Sequence, residues 1–181
     1  MGRVYEGIDE RLGSWLRAQP VFFVATAPLG RDGHVNLSPK GSPGMLAVID
    51  PRRVAYLDLT GSGAETIAHL RENRRITIMC CAFEGPPRIV RVYGRGTVVL
   101  PDDPGFDDLV ELFPPKAGTR SVVVIEVDRV ADSCGYGVPT MTFDGHRDNL
   151  DHWTAQKTPA DLAAYRAEKN ALSIDGLPAL P

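Results

Sequence analysis

The sequence has no long apolar run, no basic excess and only three cysteines, and each shortage closes off a class of protein. Its hydrophobic stretches are the length of strands, so no transmembrane helix is expected. The opening MGRVYEGIDERLGSW is charged throughout and lacks the apolar core of a signal peptide. A formal charge of −3 speaks against a general nucleic-acid binder, which carries a basic face. Cys80, Cys81 and Cys134 are odd in number and lack CxxC or zinc-ligand spacing. Reduced thiols in a cytoplasmic protein are the expectation. His34, His69, His146 and His152 are scattered, with no HExxH, so no metal site is expected. No GxGxxG follows a strand, no Walker lysine is present, and no G-x-S-x-G elbow occurs.

What remains is an ordinary globular composition: 181 residues, 43% hydrophobic and 24% charged, enough for one domain with a sizeable core. Ile8, Leu12, Trp15 and Leu16 form one stripe of a short helix that Pro20 ends. Val21–Ala27 is a strand, and Asp32-Gly33 signals a hairpin returning through His34–Leu37. Ser38–Gly44 reads as a loop. Met45–Ile49, Arg53–Leu59, Arg75–Phe83, Arg88–Leu100 and Ser121–Val130 read as further strands. Gly94 and Gly96 suggest a bulge or sharp bend in one of them.

Helices are expected near 64–72, 104–113, 150–157 and 159–169, the last with Thr158 as N-cap and Pro159 at its first position. The strand links are too short for helical crossovers, which parallel strands need. The fold class is mainly β with peripheral helices, an antiparallel barrel or strongly curled sheet. One domain spans 1–181, with a helical extension from about 147 to the end.

The most informative stretch is VAYLDLTGSGAETIAHLREN, residues 54–73. A strand stops at Thr60-Gly61-Ser62-Gly63 and a helix begins, with Ser62 and Glu65 at capping-box spacing. Free amides and the positive end of the helix dipole make this a candidate phosphate seat. A capping box that binds nothing explains the same residues, and Glu65 adds an awkward negative charge. Ser38-Pro39-Lys40-Gly41 offers a hydroxyl and an ammonium near a strand end; a plain turn with an exposed lysine is the alternative. Arg91 shares a strand face with Tyr93, and an inward arginine needs an acidic partner or a ligand phosphate. Ser133–Pro139 carries a Gly-Tyr-Gly-x-Pro loop, either a platform for a ring or a barrel-closing turn. Asp102, Asp103, Asp107 and Asp108 flank a short helix and suit its dipole better than acid–base work.

Taken together, FFVATAPLGRDGHVNLSPKG (22–41), VAYLDLTGSGAETIAHLRENRRITIM (54–79) and RIVRVYGRGTVV (88–99) resemble the pyridoxamine 5′-phosphate oxidase-like family of FMN-binding split barrels. The resemblance covers about Val21–Val130. It implies an antiparallel split β-barrel that forms a homodimer with FMN, or the deazaflavin F420, between subunits. By resemblance, Asn36, Ser38, Pro39 and Lys40 would line the flavin ring, with Lys40 near its N1–C2=O edge. Thr60, Ser62, Gly63 and Thr66 would contact the ribityl chain and phosphate, with Arg74, Arg75 and Arg91 as phosphate partners.

Two departures matter. Ser62-Gly63-Ala64-Glu65 stands where pyridoxamine phosphate oxidases carry a basic Ser-Arg-Lys run, and the tail LSIDGLPALP has no arginine. Vitamin B6 oxidation is therefore not assigned. A flavin-dependent oxidoreductase acting on a small substrate is expected. An F420-dependent reductase, or a non-catalytic carrier or sensor of flavin, F420 or haem, is the alternative. No obligatory general acid stands out; Tyr136 and His34 are weak candidates.

Overall fold

A computed structural model describes residues 2–181. A two-residue strand β1 (Val4–Tyr5) leads into helix α1 (Glu10–Arg17). Asp9 caps α1 by accepting a hydrogen bond from the Leu12 amide at 2.8 Å. Leu12 and Leu16 bury its apolar stripe, as the spacing predicts. Strand β2 (Val21–Thr26) alternates, with Phe22, Val24 and Thr26 inward.

Strand β3 (Asn36–Gly41) pairs with β2 from Asn36 opposite Thr26 to Gly41 opposite Val21. The expected loop at Ser38–Gly41 is thus strand. Pro39 does not break it because β3 is an edge strand, where a missing backbone donor is tolerated. Strands β4 (Leu46–Asp50) and β5 (Arg53–Leu59) form a hairpin. Val54 to Asp58 are all buried, so β5 is covered on both faces.

Helix α2 (Glu65–Asn73) follows, with Ala64 at its N-cap and no side-chain capping bond. The Ser62–Glu65 capping box is therefore not formed. Ser62 stands two residues ahead of the N-cap, and the Glu65 carboxylate accepts from the Ile174 amide at 3.3 Å instead. Strands β6 (Arg75–Cys81) and β7 (Ile89–Val99), the short helix α3 (Phe106–Val110) and the long strand β8 (Thr119–Ser133) complete the sheet. Helices α4 (Asn149–Ala155) and α5 (Pro159–Lys169) close the chain. Thr158 and Asp161 form a reciprocal capping box on α5.

Every strand pairing is antiparallel, in the order β3-β2-β6-β7-β8-β5-β4, with β1 on β8. The register of β7 against β8 shifts at Tyr93/Gly94, the bulge anticipated from the glycines. A Cβ at Gly94 would lie 2.1 Å from the Glu126 carbonyl oxygen, so only glycine fits. The sheet curls into a half-barrel. Phe22 of β2 meets Tyr56 of β5 edge to face at 5.7 Å, although three strands, β6, β7 and β8, lie between them in the hydrogen-bonded order of the sheet. Lys40 of β3 reaches Asp58 of β5 across the same gap. The helix α2 packs its Leu70 onto Gly96 of β7, and the whole encloses a core of Val24, Tyr56, Ile78, Val90, Val122 and Ile125. A smaller cluster joins Ala64, Ile67 and Ala68 of the α2 region to Ala179 in the tail.

Candidate functional site

Strand alternation puts Asn36, Ser38 and Lys40 on one face of β3 and leaves Leu37 and Pro39 exposed on the other. Asn36 Nδ2 donates to Thr26 Oγ1 at 3.1 Å and to Thr66 Oγ1 at 3.0 Å. Ser38 Oγ donates to Asn36 Oδ1 at 2.9 Å. Thr26 Oγ1 also lies 2.9 Å from His69 Nδ1. Burial holds the His69 pKa below its ordinary value, which keeps the imidazole neutral. Two buried atoms, His69 Nε2 and Tyr56 Oη, have no hydrogen-bond partner among the described residues. Burial, reinforced by the nearby Asp58 charge, pushes the Tyr56 hydroxyl well above its usual range.

A charge cluster adjoins this polar seam. The Asp58 carboxylate is 2% exposed. It accepts from Lys40 Nζ at 3.1 Å, from Arg120 Nε at 2.7 Å and from Ser121 Oγ at 3.2 Å. Burial works to raise the Asp58 pKa, but the two cations and their hydrogen bonds prevail and it falls below the ordinary carboxylate value. Arg120 is itself buried. Arg166 of α5 donates from Nε to Thr60 Oγ1 and from Nη2 to the Thr119 carbonyl, both at 2.9 Å. Burial, then the neighbouring Arg120 charge, lowers the Arg166 pKa. Within this hydrogen-bonded cluster three cations face one carboxylate.

The turn between β5 and α2 lies against that cluster. The Thr60 hydroxyl donates to the Gly118 carbonyl at 2.8 Å and accepts from Arg166, so it is fully committed inside the fold. Ser62 and Gly63 are exposed, and a Cβ on Gly61 would meet nothing within 4 Å. Arg120 Nη1 donates to the Gly63 carbonyl at 2.9 Å. Asn170 Nδ2 donates to the carbonyls of Gly61 at 2.8 Å and Ser62 at 3.3 Å.

Asn36, Ser38, Lys40 and Thr66 therefore share one seam, and Thr60, Ser62 and Gly63 share the turn beside it. Arg74, Arg75 and Arg91 are elsewhere. Arg74 is the left-handed C-cap of α2, the far end of a helix about 13 Å long. It bonds Thr97 and Glu126. Arg75 donates to the Pro28 carbonyl at 3.2 Å. Arg91 donates to Ser133 Oγ at 3.0 Å on the sheet face opposite buried Val90 and Val92. His34 is paired with Asp175 at 2.6 Å, and Tyr136 is 82% exposed.

Sequence reasoning set His69 aside as one of four scattered histidines and passed over Tyr56, Asp58, Arg120, Arg166 and Asn170. Asp58 had a signal, a lone carboxylate inside an apolar strand, which needs a partner when buried. Arg120, just before SVVVIEV, had the matching one. Arg166 and Asn170 on a polar helix had none.

A family model described as pyridoxamine 5′-phosphate oxidase matches residues 8–134. The chain is 38% identical over 197 aligned positions to the pyridoxamine 5′-phosphate oxidase family protein ustO of Aspergillus flavus, covering 97% of this chain and 77% of that one. Among solved structures, HupZ of Group A Streptococcus is similar in fold, with a TM-score of 0.52 and 18% identity over 68% of this chain and 91% of that one. A variant of the same streptococcal protein gives a TM-score of 0.53 at 18% identity, over 70% of this chain and 99% of that one. By the family model and by the fungal relative alike, this chain belongs to the pyridoxamine 5′-phosphate oxidase family.

Proposed function

We propose that this protein binds FMN and works as a flavin-dependent oxidoreductase on a small molecule, as a homodimer in the cytoplasm. One observation carries the cofactor: Lys40, Arg120 and Arg166 face a single carboxylate, Asp58, beside the exposed Ser62–Gly63 turn. Unbalanced positive charge next to outward backbone fits a phosphate-bearing group. Ser62, Gly63 and Thr66 would hold its phosphate end, with Thr60 fixing the turn rather than touching the ligand. Asn36, Ser38, Pro39 and Lys40 would line the ring end. Arg74, Arg75 and Arg91 lie away from the turn in their own chain, so a role for them requires the partner subunit.

When bound, the flavin supplies the hydride and electron chemistry. The chain's part is binding, orientation and charge. Lys40 uses one of its three N–H groups on Asp58 and keeps the others for an electron-rich ring edge. Asn36 and Ser38 are tied to each other, which fixes their orientation before any ligand arrives. Homodimerisation is supported by the edge strand β3, where Val35 just ahead of it is 74% exposed and Leu37 is 63% exposed. Free cysteines suit a reducing compartment. No described helix is long and apolar enough to cross a membrane.

Mass spectrometry of the small molecule released from the purified protein tests the cofactor directly. FMN is expected, with bleaching of the yellow colour by NADH or NADPH. Released F420 or haem would replace the cofactor and the electron donor in this proposal. A colourless protein whose spectrum is unchanged by added FMN or F420 would end it.

A further inference from the structure

We infer that Asn170 and Arg120 are positioning residues for the phosphate end of the cofactor site: together they hold the Gly61–Gly63 turn with its carbonyls inward. This rests on the flavin proposal above and extends it to the carboxyl-terminal arm, which lies beyond the matched residues 8–134.

Three consecutive carbonyls are held from the inside. Asn170 Nδ2 takes those of Gly61 and Ser62, and Arg120 Nη1 takes that of Gly63. The two side chains are also tied to each other, Arg120 Nη1 donating to Asn170 Oδ1 at 2.9 Å. Asn170 is 0% exposed and Arg120 is 5% exposed. A trans peptide points its N–H opposite to its C=O, and no peptide here is cis. Holding the carbonyls of Gly61, Ser62 and Gly63 inward therefore turns the amides of Ser62, Gly63 and Ala64 the other way. Successive amides on one side of a turn form an anion-binding concavity. Without Asn170, Gly61 and Ser62 lose the donor that fixes their peptides.

The arm acts on the opposing charge as well. Glu65 is the one carboxylate at this helix start, and its Oε1 accepts from the Ile174 amide in the tail. The same tail buries Ala179 against Ala64, Ile67 and Ala68. The arm thus orients the turn, binds one Glu65 oxygen and brings Arg166 beside Thr60, while Glu65 Oε2 stays against the turn, 2.8 Å from where a Gly63 Cβ would lie. A phosphate would meet fixed amides and the three cations Lys40, Arg120 and Arg166 against the two carboxylates Asp58 and Glu65, and the arm supplies Arg166 and the Asn170 donor.

The experiment compares FMN with riboflavin, which has the same ring and no phosphate. Dissociation constants are measured for the wild type, Asn170→Ala and Asn170→Leu, with thermal melts to establish that each is folded. Asn170→Leu keeps the size and adds no charge, so it serves if the alanine variant fails to fold. Both variants are expected to lose about tenfold or more in FMN affinity, the scale of one to two hydrogen bonds, while riboflavin moves less than about threefold. An arm that merely stabilises the fold would shift both ligands alike. An unchanged FMN-to-riboflavin ratio in folded variants overturns the inference and leaves FMN binding standing. A wild type that binds neither flavin overturns the proposed function, and this inference with it.

Discussion

The two ends of α2 show how differently the same residue type can be used. At its start, arginines reach the Thr60–Gly63 turn from distant segments, buried Arg120 on β8 and half-buried Arg166 on α5. At its end, Arg74 and Arg75 are contributed locally and lie exposed. The family resemblance named the local pair, with Arg91, as phosphate partners. The folded chain puts the distant pair, not the local one, beside the turn. A cation becomes useful to an anion where low exposure strengthens its field, whereas water screens it at the surface.

The largest way to break the contrast is to remove its single counter-ion. Asp58→Ala leaves buried Arg120 unpaired and is expected to cost about 3–5 kcal/mol in urea unfolding. A loss below about 1 kcal/mol would mean that water or a rearranged carboxylate already balances the cluster. The next effects are on ligand affinity. Ser62→Asp puts a carboxylate on the exposed turn and should weaken FMN by about a hundredfold, the scale on which charge repulsion opposes a phosphate. Lys40→Ala should cost about tenfold. Arg74→Ala and Arg75→Ala should each change FMN affinity by less than about threefold if one chain provides the whole phosphate end. A tenfold loss in either would bring the partner subunit's end of α2 into the site.

A third test is pH. His69 is neutral when folded and its pKa is depressed by burial, so the unfolded chain binds its proton more readily. Its contribution to stability is complete above the unfolded pKa of about 6.5 and declines as pH falls below that value. The difference in Tm between wild type and His69→Gln should therefore shrink or reverse between pH 7 and pH 5. A constant difference would show that the buried imidazole stays unlinked to protonation. The smallest effect belongs to the exposed end. Arg74 has φ of 63°, a conformation glycine adopts freely, and its ion pair with Glu126 is exposed. Arg74→Gly should raise stability by about 0.5 kcal/mol in chemical denaturation; a loss would assign real weight to the Glu126 and Thr97 contacts.

Much of the β architecture could be read in advance because its cause is local. Alternating VFFVAT and the buried run VAYLDL carry their own burial pattern, and Gly94 announced the bulge. Ser38–Gly41 was misread because proline and glycine are loop signals in isolation, while an edge strand accepts both. The capping box failed for the opposite reason: its spacing is local, but a tail more than a hundred residues later claims Glu65. The polar seam was half legible. Asn36, Ser38 and Lys40 share parity on one strand, whereas His69 and Tyr56 join them only through packing.

Strand β8 pairs with β1, β7 and β5, and it is the last strand in the chain. That order has a kinetic consequence. During synthesis the β4–β5 hairpin must wait, with one edge unsatisfied, until residues 119–133 have left the ribosome. Long-range pairings of this kind slow folding and prolong the exposure of hydrophobic strands. Truncations that end before β8 should accumulate as aggregates, and the rate-limiting event in refolding should be the insertion of this one strand between its neighbours.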